Sequence, residues 1–127
     1  MGSEMCIRDR DNYDTPDGTN IRDYIYVVDL AKAHVVAVQR LLEKKATDTV
    51  ETFNVGTGHG NSVLEVVHTF EEATGLKLNY VMGPARAGDV PAIYADATKA
   101  AEVLGFRTET SLRDALASAW KWQQTLK

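Results

Sequence analysis

The chain has 127 residues, 44% of them hydrophobic and 25% charged, which excludes disordered and fibrous classes and suits one domain or one piece of a larger one. Its 14 lysines and arginines against 18 aspartates and glutamates give a net charge of -4, which argues against a nucleic-acid binder. No apolar run nears the ~20 residues of a membrane span, the N-terminus lacks the apolar core of a signal peptide, and a lone cysteine cannot close an internal disulfide, so a soluble cytoplasmic protein is expected.

Residues 1–10, MGSEMCIRDR, show no helical or strand period and carry the only cysteine, Cys6. They read as a non-native leader (a tag, a vector scar or translated adapter) and are set aside from fold reasoning. Glu4 and Asp9 balance Arg8 and Arg10, so the charge argument survives their removal.

From Asp11 onward, strands alternate with helices without repeats. Thr15-Pro16-Asp17-Gly18 predicts a turn, and Ile21 to Val28 a β-prone run. Asp29 predicts the N-cap of a helix reaching about Lys45, apolar at Leu30, Ala33, Val35, Val38, Leu41 and Leu42. Glu51 to Val55 predicts a second strand, followed by Gly56-Thr57-Gly58-His59-Gly60. Ser62 and Glu65 form a capping box for a helix ending at Gly75. Leu78 to Met82 predicts a third strand, Asp96 caps a short helix ending at Gly105, and Ser111 opens a last helix through Gln124. The pattern is that of an α/β protein with some parallel pairing, and its abrupt start suggests the back half of something.

Most familiar chemistry is absent. The glycine loop follows a predicted strand and precedes a helix, but a dinucleotide fingerprint is G-x-G-x-x-G and position 61 is Asn. A tight strand-to-helix turn is the reading its spacing favours. His34, His59 and His68 have no metal-ligand spacing, and no nucleophile elbow or Cys/His pair is present. Trp120 and Trp122 stand two apart on one helix and form no stacking platform.

Arg22, Arg86 and Asp89 are different. A planar guanidinium grips phosphate oxygens bidentately, and a carboxylate accepts from two vicinal sugar hydroxyls. On spacing alone, a surface ion pair between Arg86 and Asp89, worth under ~1 kcal/mol, is the simpler account.

Residues 11–127 resemble the C-terminal part of the UDP-glucose 4-epimerases, in the extended short-chain dehydrogenase/reductase family. The matching stretches are Tyr13 to Thr19, Arg22-Asp23-Tyr24-Ile25, Val28 to Ala31, Phe53 to Gly58, Gly88-Asp89 and Asp96 to Ala100. The resemblance implies an α/β chain from an NAD-binding Rossmann-like fold, with the N-terminal dinucleotide-binding half missing. It implies a parent enzyme that interconverts UDP-glucose and UDP-galactose through an NAD-dependent 4-keto intermediate, works as a cytoplasmic homodimer, and binds neither nucleic acid nor membrane.

Family members use the tyrosine of a Y-x-x-x-K motif as base, yet Tyr24, Tyr26 and Tyr94 are followed four residues on by Val28, Leu30 and Thr98. No catalytic, cofactor-binding or metal residue is therefore expected in this chain. The resemblance assigns Arg22 and Arg86 to the diphosphate, Asp89 to the ribose hydroxyls and Ile93 to the wall of the hexose pocket. There, small side chains go with N-acetylated sugars and bulky aromatics exclude them; isoleucine lies between. Three departures stand out: Tyr26 in place of histidine, Asn20 in place of glycine, where asparagine would keep a left-handed turn, and Arg10 in place of glycine. Alternatives are a fragment of a UDP-N-acetylhexosamine 4-epimerase or nucleotide-sugar dehydratase, or a UDP-sugar-binding module without chemistry.

Overall fold

The computed structural model describes residues 5–7, 13–84 and 86–126. Strands β1 (Met5–Ile7), β2 (Ile21–Arg22), β3 (Asn61–Ser62), β4 (Tyr80–Met82) and β5 (Ala92–Ile93) alternate with helices α1 (Val27–Leu42), α2 (Val63–Thr74) and α3 (Leu112–Gln123). A π-helical turn, Ala100–Leu104, precedes α3. Two small sheets result. In the first, β1 lies parallel to β4, with Met5 opposite Tyr80 and Ile7 opposite Met82. The second has the order β3-β2-β5, with β3 antiparallel and β5 parallel to the central strand.

Local chemistry sets the helix ends. Ser62 and Glu65 make the expected capping box: the Ser62 hydroxyl accepts from the Glu65 amide at 3.1 Å, and the Glu65 carboxylate accepts from the Ser62 amide at 2.7 Å. Gly75 ends α2 in the left-handed conformation, φ 71°, where a side chain would be strained. Ser111 caps α3 by accepting from the Asp114 amide. The Asp96 carboxylate accepts from the Thr98 amide at the start of the segment that Gly105 closes at φ 65°. Helix α2 packs on α3, where the Phe70 and Trp120 rings meet edge to face at 5.8 Å. Helix α1 packs on the π-helical turn, with Ala33 and Ala100 buried, and Val67 and Phe106 are also buried.

Four expectations are corrected. Helix α1 starts at Val27, and Asp29 is not its cap; the carboxylate turns inward, 1% exposed, and accepts from the backbone N–H groups of Glu109 and Thr110 at 3.2 and 3.0 Å. The helix therefore takes over Val27 and Val28, and the predicted strand over 21–28 shrinks to Ile21–Arg22. At its other end, Lys44 adopts φ 54° and the Lys45 amide reaches back to the Arg40 carbonyl, so α1 closes before Lys45. The predicted strand over Glu51 to Val55 forms no ladder among the described residues; Glu51 instead binds Arg40 with two side-chain hydrogen bonds of 2.9 Å.

Met5–Ile7, inside the decapeptide set aside above, form strand β1. Setting residues 1–10 outside the fold thus fails for these three, although the pairing says nothing of the segment's origin.

Candidate functional site

The site is built where β2 and β5 run side by side. Upstream of β2, the turn at residues 13–18 closes as the Tyr13 amide donates to the Gly18 carbonyl at 2.9 Å, with Gly18 at φ 79°. Asp17 then locks this turn to α2. Its carboxylate accepts from the Thr19 amide and hydroxyl at 2.9 and 2.7 Å and from the Ser62 hydroxyl. Burial disfavours the Asp17 anion, but the bonds from Ser62 and Thr19 outweigh it and hold the carboxyl below its usual range. One serine hydroxyl thus caps a helix and anchors the loop that leads into the site.

The chain next runs through Asn20, Ile21 and Arg22. The Ile21 amide donates to the Pro91 carbonyl at 2.9 Å, and the parallel ladder sets Ile21 opposite Ala92 and Arg22 opposite Ile93. This brings the loop carrying Asp89 beside Arg22. The Arg22 Nη2 lies 4.0 Å from Asp89 Oδ1, with the two side chains 28% and 26% exposed, while its Nη1 donates to the Ile21 carbonyl at 2.8 Å. Asn20, itself buried, donates from Nδ2 to Asp89 Oδ2 at 3.4 Å.

Of the four expected residues, Asp89 and Ile93 therefore both lie beside Arg22, along the β2–β5 ladder. Ile93 is exposed. Arg86 is also exposed and makes no ion pair among the described residues. The simple Arg86–Asp89 pair is not formed, because Asp89 faces Arg22. Asn20 departs from expectation too: it is not left-handed, and it supplies a side chain to Asp89 instead.

Next to this ladder lies a residue that spacing did not single out. The Asp23 carboxylate collects four donors: the Thr57 amide at 2.9 Å and hydroxyl at 2.6 Å, the Gly58 amide at 3.1 Å and the Ala95 amide at 3.2 Å. Burial opposes its ionisation, but the Thr57, Ala95 and Gly58 bonds prevail and keep the carboxyl below its usual range. A carboxylate within a β-prone run, with a Gly-Thr-Gly segment elsewhere to receive it, was the available signal.

The same contacts decide what the glycine loop is for. A Cβ on Gly56 would lie 2.5 Å from Asp23 Oδ2 and 2.6 Å from Ala95 Cβ, and one on Gly60 would lie 2.4 Å from Ile21 Cγ2. The loop's amides already serve Asp23, so it offers no cradle for a dinucleotide phosphate. Among the described residues, this loop does not fit the NAD pyrophosphate. A cavity of about 610 Å³ opens on this side, between the loop, Tyr94 and Phe106. No group of histidines, cysteines and acidic residues suited to a metal, and no helix long and apolar enough to cross a membrane, occurs among the described residues.

Residues 3–119 match the family model described as GDP-mannose 4,6 dehydratase. The chain belongs to that family. More narrowly, it is similar to the UDP-glucose 4-epimerase of Bifidobacterium longum, at 50% identity over 113 residues, which is 89% of this chain and 32% of that protein. A crystal structure of the Bifidobacterium longum epimerase in complex with NAD+ and UDP superposes with a TM-score of 0.88 at 45% identity, over 98% of this chain and 36% of that one. The epimerase from Stenotrophomonas maltophila, with bound NAD and formylated UDP-arabinopyranose, superposes with a TM-score of 0.89 at 41% identity, over 97% of this chain and 35% of that one. The chain spans about a third of the length of the curated relatives it matches.

Proposed function

We propose that residues 11–127 are the C-terminal, UDP-sugar-binding portion of a UDP-glucose 4-epimerase. The observation that carries the reading is that Asp89 and Ile93, far from Arg22 in sequence, both lie beside it along the β2–β5 ladder. Support comes from relatives at 41 to 53% identity that bear that name, and from similar structures holding UDP or a UDP-sugar.

Arg22 supplies a forked donor for the diphosphate, and Arg86 a second cation on the facing loop. A bound phosphate outcompetes Asp89 for Arg22, since the present pair is 4.0 Å long, part-exposed and worth under ~1 kcal/mol. Released from Arg22, the Asp89 carboxylate accepts from the vicinal ribose hydroxyls while Asn20 still steadies it. Ile93 lines the sugar's approach. NAD would supply hydride removal and return at the hexose in the parent enzyme, and its cradle and the proton-transferring base would come from outside this chain. The parent works as a cytoplasmic homodimer on this reading.

Calorimetric titration with UDP is the test. The chain is expected to bind UDP, and Arg86→Ala to weaken it by about tenfold, as for loss of a charge-assisted contact. Equal affinity for the variant would place Arg86 outside the site.

A further inference from the structure

We infer that Asp23 is a positioning residue of this UDP-sugar site: its carboxylate clamps the chain beyond β5 to the glycine loop and so fixes where Arg22 and Ile93 stand. The inference rests on the UDP-sugar reading for its ligand and on geometry for its mechanism.

The ladder between β2 and β5 has only two residue pairs, Ile21 with Ala92 and Arg22 with Ile93. Strands in folded proteins usually run to about five or six residues, and so short a ladder leaves register poorly held. Asp23 follows Arg22 directly, and the Ala95 amide it accepts lies two residues past Ile93. Its side chain thus extends the pairing where the backbone ladder stops. Its other three donors come from Thr57 and Gly58, so both strand ends are tied to one loop. The missing side chain of Gly56 makes the approach possible, since a Cβ there would meet the carboxylate at 2.5 Å. Adjacent residues of an extended chain point to opposite faces, so Asp23 can face the loop while Arg22 faces the ligand edge.

The distinguishing test is a double-mutant cycle on UDP affinity. Asp23→Asn turns an amide NH2 toward N–H donors and is expected to weaken UDP binding by about tenfold. In an Arg22→Lys background, which has already lost the forked grip, the same change is expected to cost clearly less, because Asp23 acts through Arg22. Equal cost in both backgrounds would reveal a merely structural lesion and overturn the proposal. Should Asp23→Asn fail to fold, Thr57→Val removes one of the four donors at nearly constant volume, and the same non-additivity is expected at smaller amplitude.

Amide hydrogen exchange reads the clamp without ligand. Faster exchange at Ala95, Ile93 and Arg22 in the Asp23→Asn chain, with α2 and α3 unchanged, is expected; unchanged exchange at Ala95 overturns the clamp. A wild-type chain that binds no UDP, yet loosens at these amides when Asp23 is replaced, overturns the UDP-sugar reading and keeps the clamp.

Discussion

Ser62 shows how much one hydroxyl can carry. It accepts from the Glu65 amide at the head of α2 and donates to Asp17, which in turn holds the turn before β2. Ser62→Ala removes both bonds and leaves the Asp17 carboxylate short of a donor. A loss of about 1–2 kcal/mol is expected, read as a lower midpoint in urea at unchanged slope. Glu51 makes a separate, pH-dependent contribution. Hydrogen bonds from Arg40 lower its carboxyl to about 2 against partial desolvation. A carboxyl depressed in the folded state stabilises above its unfolded value and ceases to do so as pH falls. The Glu51 contribution is therefore complete above about pH 5 and lost between about 4.5 and 2. Glu51→Gln is expected to flatten that part of the stability curve in thermal melts across pH.

Elements were legible wherever a single residue type enforces an end. The Ser62 capping box, the Gly75 and Gly105 stops and the Ser111 cap all stand where the sequence places them. Asp29 misled because a carboxylate ahead of an apolar stripe looks like a cap whether it serves its own helix or, as here, the distant amides of Glu109 and Thr110. The two-residue strands β3 and β5 were illegible, since alternation needs several residues to show. They exist through pairing partners remote in sequence. The candidate site divides the same way: Arg22 and Asp89 were proposed from chemistry and resemblance, while the contact of Asn20 with Asp89 and the donors gathered by Asp23 needed the folded chain. Gly60 sits where three of these elements meet. Gly60→Ala forces a methyl against Ile21 and the Tyr94 ring. It is expected to cost about 1–3 kcal/mol by overpacking, measured by chemical denaturation, with the loss concentrated in exchange protection of β2.

Across the whole molecule, α1 carries an apolar stripe that the described residues leave uncovered. Val28, Val35, Val38 and Leu42 recur at spacings of seven, three and four, and Leu42 is 79% exposed. A soluble monomer rarely shows so continuous a patch. Replacing Val35 and Val38 by glutamate is expected to reduce binding of a hydrophobic dye and concentration-dependent association in sedimentation, with little change in melting temperature. An unaltered association would assign it to another surface. A chain that spans a third of its relatives' length, with one helix face bare, is consistent with the proposal that it is one portion of a larger fold.

The pairing of Met5–Ile7 with Tyr80–Met82 has a practical edge. Trimming the least protein-like ten residues is a natural first step for anyone preparing this chain. It would strip the parallel neighbour from β4 and turn three backbone positions into a bare template for other strands. Within a segment that reads as packaging, Met5–Ile7 serve as a cover strip, and a cleaner-looking protein would be a stickier one.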